Sequence, residues 1–128
     1  MPFRLLLIFL AGGLGCVLRY LVAGWAQQLG GESIPLGTFT VNVLGCAAIG
    51  FLATVLTGPV LIREPYRVAI LVGLLGGFTT FSSYTWETVT RANEGALFIA
   101  AGNLLLSNVV GLTMAWFGAR IAVVIYGS

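Results

Sequence analysis

The chain has 128 residues, of which 59% are hydrophobic and 8% charged, with a mean hydropathy of +1.03 and a formal net charge of +2. That composition lies outside the range of soluble globular domains, and no basic cluster points to nucleic acid as a partner. Six arginines and four glutamates are the only charged side chains, with no lysine, aspartate or histidine, so a membrane enzyme working by acid–base or metal chemistry has few candidate residues.

Crossing the hydrocarbon core takes about 20 mostly apolar residues in a helix. The first stretch to meet this runs from about Phe3 to Ala26. Its start, Arg4 followed by Leu5 to Leu10, has the pattern of a secretory signal. No clear small-x-small cleavage site follows, Gly13-Leu14-Gly15-Cys16 lacks the leucine three residues before the cysteine of a lipoprotein site, and hydrophobicity continues to Ala26. The stretch therefore reads as a retained span. Arg19 lies within it, at a depth where a charge faces a polar interior or snorkels to the headgroups. Cys16, and Cys46 in the next span, read as small packing residues near glycines.

The second span runs from about Leu36 to Leu56, after a turn containing Gly30, Gly31 and Pro35. Thr38 and Asn42 are four apart and share a helical face, continued without bulk by Gly45. The third runs from about Tyr66 to Val89, after Gly58-Pro59 and Arg63-Glu64-Pro65. In its middle stands Gly76-Gly77-Phe78-Thr79-Thr80-Phe81-Ser82-Ser83-Tyr84. No water is available in a bilayer core to satisfy a broken helix, so this run must be buried in protein or line a polar cavity. The expected break covers Gly76 to Thr80, with carbonyls freed to face inward and coordinate a monovalent cation. Phe81 and Tyr84 share a face, and Glu87 follows as an acid at membrane depth, able to pair with Arg19 or to orient hydroxyls. The fourth span runs from about Ala96 to Ile125, with Asn103 and Ser107 one turn apart.

Four spans place both termini on one side. Arg4, Arg63, Arg67 and Arg120 lie toward that side and Arg19 and Arg91 toward the other, which favours cytoplasmic termini. Asn, Ser and Thr in such helices either bond neighbouring helices or line a path. Amide and hydroxyl donors, with the positive edges of aromatic rings, suit a small anion that accepts hydrogen bonds strongly. Four short helices enclose little volume, so a path is more readily built between subunits, most simply in a dimer.

The run Gly76 to Tyr84 with Glu87 resembles the signature of the Fluc (CrcB) fluoride-channel family, together with Gly12-Gly13-Leu14-Gly15 and Arg19, and Gly37-Thr38-Phe39 with Val41-Asn42. The resemblance covers essentially the whole chain. It implies an all-α membrane protein, residues 1–128 forming one channel domain of four transmembrane helices with a break in the third, assembled as an antiparallel, dual-topology homodimer. It further implies two pores along the dimer interface, passive export of cytoplasmic fluoride, and a multi-pass position in the cell inner membrane or plasma membrane. By position, Phe81 matches the first pore phenylalanine, Asn42 the pore asparagine, and Ser107, with Asn103 before it, the polar track. Gly76 and Thr79 match positions whose backbone carbonyls hold a structural sodium ion (Na+) at the dimer centre. The fluoride pathway thus implied comprises Thr38, Asn42, Phe81, Ser83, Tyr84, Asn103 and Ser107, with Arg19 and Glu87 as its charged members. Tyr84 stands where many members have a second phenylalanine, and Gly111 and Ala115 where some carry further hydroxyls. The alternative is a small multidrug-type four-helix antiporter, which needs a membrane-embedded carboxylate; the first span has none. A purely structural helper subunit would not require the shared polar faces.

Overall fold

The computed structural model describes residues 1–127, and in it four helical spans are long and apolar enough to cross a membrane. Helix α1 covers Pro2–Gly30, starting with proline in its first turn, where the missing N–H costs nothing. It ends at Gly31, whose φ of 71° is a conformation glycine adopts without strain. Gln27 then fastens the turn to α2 (Leu36–Thr57). Its amide donates to the Gly31 and Ile34 carbonyls, and its Oε1 accepts the Gly37 N–H at 3.0 Å, one of the amides that a helix N-terminus leaves without an internal partner.

The third span is assembled from pieces. Helix α3 (Glu64–Val68) opens with a proline in its first turn, widens into a π-helical segment (Ala69–Leu74) and tightens again as α4 (Leu75–Phe78). After two extended residues, α5 runs over Phe81–Asn93. Helix α6 (Leu97–Tyr126) returns to the side where the chain began. The Arg4–Glu64 ion pair at 2.8 Å ties the starts of α1 and α3 together at that end. Among the described residues the secondary structure is all helical.

Inside a bilayer, apolar burial does not drive helices together, so close packing and polar contacts must do it. Many buried positions are accordingly small or polar, such as Gly15, Gly45, Thr38, Asn103 and Gly118, beside a few larger ones such as Leu56, Leu75 and Tyr84; Val41 is the largest side chain that is fully enclosed. Leucines, valines and aromatics cover the outside, as on α1, where only Gly15 and Ala26 are buried. Helix α2 lies along α6, with Gly118 against the backbone of Ala47 and Phe51. Helix α1 lies along the first half of the third span, with Gly15 against the Leu74 carbonyl and the Phe78 amide, and Gly77 against the Gly12 carbonyl.

That last contact accounts for a difference from the sequence expectation. The break is confined to Thr79 and Thr80, whereas Gly76 and Gly77 remain helical. Gly77 is small for packing rather than for unwinding, because a Cβ there has no space beside α1. Helix α1 also runs four residues beyond Ala26, to Gly30.

A side chain at Gly15 would place its Cβ 2.9 Å from the Phe78 nitrogen and force α1 off α4. Gly15→Val should therefore cost about 1 to 3 kcal/mol, the usual range for overpacking. It would be read as a lower midpoint when the purified protein is unfolded by heat or sodium dodecyl sulfate; an unchanged midpoint would show that this contact does not hold α1.

Candidate functional site

The site is organised by where the backbone of the broken span finds its partners. Thr79 (φ −87°, ψ 159°) and Thr80 (φ −151°, ψ 110°) are extended. In an unbroken helix the Thr80 N–H would donate to the Gly76 carbonyl. Here it donates to Asn42 Oδ1 at 2.7 Å, while Asn42 Nδ2 donates to the Thr80 carbonyl at 2.9 Å. The asparagine amide has the same donor and acceptor as a peptide group, and it pairs with both sides of Thr80 at once. Thr80 then caps α5, its hydroxyl oxygen accepting the Ser83 N–H at 3.1 Å. That amide would otherwise belong to the Thr79 carbonyl. The two diversions release the carbonyls of Gly76 and Thr79.

These are neutral, hard oxygen donors of the kind sodium takes. Gly76 lines the cleft described next, and nothing beyond its own helix lies within 4 Å of where a Cβ would stand. Arg19 Nη1 comes within 3.5 Å of the Thr79 carbonyl, so a positive group is already drawn to that oxygen. The residues thus fit a monovalent cation held by backbone.

On one side of the Asn42–Thr80 clasp is a cleft of about 360 Å³ between α2, both halves of the third span and α6. Asn42, Gly76, Thr79, Phe81, Tyr84 and Ser107 all line it, joined by Asn108, and no charged side chain does. Tyr84 is buried, whereas Phe81 is 76% exposed at the mouth of the cleft. Their ring centroids are 5.5 Å apart and tilted by 49°, a geometry in which ring edges rather than faces can be presented. Asn42 Nδ2 carries a second hydrogen beyond the one given to Thr80.

On the other side is a cleft of about 490 Å³ lined by Arg19, Thr38, Ser83 and Glu87, with Thr80 as its wall. Arg19 and Glu87 share this cleft without forming an ion pair; among the described residues the salt bridges are Arg4–Glu64 and Arg91–Glu94. Glu87 Oε1 instead accepts the Thr38 hydroxyl at 2.6 Å. Its Oε2, and the Thr90 hydroxyl one turn on, are buried with no partner among the described residues. A further cleft, of about 420 Å³, shares Gln27 and Glu87 with this one and continues past Thr90 to Arg91 and Glu94.

Asn103 occupies neither cleft. Its Nδ2 donates to the Thr88 hydroxyl at 2.8 Å and its Oδ1 accepts from Ser107 at 3.2 Å, while Thr88 donates to the Tyr84 carbonyl at 2.8 Å. Ser107, Asn103 and Thr88 thus form one directed chain that joins α6 to α5. The single pathway implied by resemblance is distributed over two clefts and this chain, with Asn42 and Thr80 at the partition.

Sequence reasoning did not single out Gln27, the π-helical segment or the pairing of Asn108 with Tyr84. Gln27 near the end of an apolar span, shortly before Gly30-Gly31, offers a signal for the first. Nothing in Ala69 to Leu74 distinguishes a π turn from ordinary helix. Asn108 was visible as a polar residue of the fourth span, but its partner depends on how α6 sits against α5.

Compared with known proteins, residues 6–119 match the family model described as CrcB-like protein, Camphor Resistance (CrcB). The fluoride-specific ion channel FluC of Solibacter usitatus is 44% identical over 119 residues, spanning 93% of this chain and 98% of the relative. The proteins of the same name from Citrifermentans bemidjiense and Nitratidesulfovibrio vulgaris are 41% and 42% identical, over 93% and 90% of this chain and 96% and 93% of their own lengths. With its family signature spread over nearly its full length and its third span broken at that signature, this chain belongs to the CrcB family of membrane proteins.

Proposed function

We propose that this chain is a passive, fluoride-selective ion channel and not an enzyme. The observation that carries the reading is the cleft beside the helix break, where amide, hydroxyl and aromatic groups stand among apolar side chains such as Ile49, Leu71 and Leu75, with no charged side chain. Relatives that this chain matches over 94–98% of their length bear the name of fluoride-specific channels. Fluoride is small and strongly hydrated, so a path must offer several close donors to replace its water. Neutral donors do this without the tight hold of a fixed ammonium or guanidinium, which would slow release. The small multidrug-type antiporter finds no support: α1 has no carboxylate, and Glu87 lies in the other cleft, bound to Thr38.

The conducting unit is an antiparallel homodimer with two pores. Phe81 at 76% exposure lies at an open cleft mouth that a second copy would close, and a single chain of four spans leaves that cleft open on its side. Insertion in both orientations lets the two copies meet with their broken spans facing. Sodium would take the Gly76 and Thr79 carbonyls, and when bound it supplies a fixed positive charge at the centre of the dimer.

Asn42→Asp should abolish fluoride efflux from liposomes loaded with fluoride and monitored by a fluoride electrode. The carboxylate cannot donate to the Thr80 carbonyl now 2.9 Å from Nδ2, and it sets a negative charge in the cleft. Efflux at the unmodified rate would remove Asn42 from the pathway. The unmodified protein should release fluoride and retain chloride; equal release of both would overturn the selectivity.

Exchanging sodium for N-methylglucammonium throughout purification should lower the thermal midpoint of the dimer, since a ligand that binds only the folded form stabilises it, by about 2.7 kcal/mol at a hundred times its dissociation constant. A midpoint that does not respond to sodium between micromolar and 100 mM would dismiss the cation site.

A further inference from the structure

The side chain of Tyr84 is held in a way that ring packing does not require. Its Oη accepts a hydrogen bond from Asn108 Nδ2 at 3.1 Å. The same nitrogen donates to the Leu104 carbonyl at 2.7 Å, one turn back on α6. A carbonyl can only accept, so the atom facing Leu104 must be the amide nitrogen, and the nitrogen facing Tyr84 is the same one. An amide nitrogen has two hydrogens, and these two bonds use both. Tyr84 Oη is therefore on the accepting side, and its own hydrogen is left to point elsewhere. Among the described residues it enters no other hydrogen bond, and Tyr84 is buried while lining the neutral cleft beside Asn42 and Ser107.

We propose that Asn108 is a positioning residue that turns the Tyr84 hydroxyl into a fixed donor aimed into the cleft, adding a binding step for the anion that a phenylalanine at this position would not provide. The inference rests on the channel reading and refines it. A phenol free to rotate would spend part of its time directed at protein acceptors. Here Asn108 presents only N–H to it, so a proton on Tyr84 has no acceptor on that side, and the hydroxyl presents it to the cleft. Tyr84 donates from the side of α5, while Asn42 offers its second amide hydrogen from α2 across the same cleft. An ion passing Phe81 therefore meets donors from two helices, and the tyrosine contribution depends on a residue of a third.

The test is the dependence of flux on fluoride concentration, measured on the full-length protein in liposomes for the unmodified chain, Tyr84→Phe, Asn108→Leu and the double variant. Tyr84→Phe removes one oxygen and keeps the ring, and it should raise half-saturating fluoride about ten-fold or more, the size that one hydrogen bond to an anion supports. Maximal flux should not fall with it, because release becomes easier. Asn108→Leu should shift half-saturation in the same direction by a smaller factor, and should add nothing in the Tyr84→Phe background. Loss of a purely structural contact would lower maximal flux or yield of folded protein and would add to the effect of Tyr84→Phe. If Asn108→Leu fails to assemble, Asn108→Ala serves the same comparison with less bulk. Unchanged half-saturation in Tyr84→Phe, or an Asn108 effect of equal size in both backgrounds, would overturn the proposal. Absence of fluoride flux from the unmodified chain would instead overturn the channel reading itself.

Discussion

The pair of hydrogen bonds between the Asn42 side chain and the backbone of Thr80 is the contact from which the rest of the site follows. Opening a helix within a membrane strands backbone donors and acceptors where water cannot reach, at a cost of several kcal/mol for each unsatisfied group. Asparagine is suited to offset that cost because its amide reproduces both halves of a peptide group. The bond to the Thr80 N–H takes away the partner of the Gly76 carbonyl, and the Thr80 hydroxyl, by capping α5, takes away that of Thr79. Those two carbonyls are freed, and α5 restarts at Phe81 with Phe81 and Tyr84 toward the neutral cleft and Ser83 and Glu87 toward the charged one. Gly77, just before the break, has another task, letting α1 approach α4 closely enough to brace it.

The clasp also separates two electrostatic environments. Arg19 and Glu87 are both on the far side from Phe81 and Tyr84. A guanidinium in the larger cleft, of about 490 Å³, would raise the local concentration of anions at modest binding strength wherever water screens it. The same group at the narrow point would bind an anion too tightly for passage. Keeping charge in the larger cleft and neutral donors in the smaller one satisfies both requirements. Glu87, bound by Thr38 and not by Arg19, leaves that arginine uncompensated and able to attract anions.

Much of this was legible in the sequence, because lipid imposes strong rules. Four apolar stretches gave four spans, and a polar run with Thr79-Thr80 in the third marked a break. The extent of the break was not legible, since two adjacent glycines look alike whether they unwind a helix or admit a neighbour; only the contact of Gly77 with Gly12 tells them apart. The partition of polar residues was hidden for a related reason. Asn103 and Ser107 share a face by spacing, but whether that face meets the cleft or α5 depends on the rotation of α6, which a helix apolar on every side does not encode. Asn42 stood out as an amide in need of a partner, yet nothing local named Thr80, 38 residues away, as that partner.

Counting hydrogens narrows the donors further than residue type does. Most hydroxyls of the spans are already committed: Thr40, Thr54, Thr57, Thr85, Thr88 and Thr113 each donate to a carbonyl one turn back on their own helix. Such back-bonding satisfies a hydroxyl within the helix and withdraws it from any path. Ser107 donates to Asn103, at 3.2 Å, a long bond that an anion accepting more strongly can outcompete. The uncommitted hydrogens facing the neutral cleft are thus the second one on Asn42 Nδ2 and that of Tyr84. A chain with many threonines and serines resolves to a few available donors, each oriented by a partner on another helix. A small, strongly accepting anion gains most from each such oriented donor, and a larger, more weakly accepting halide gains less.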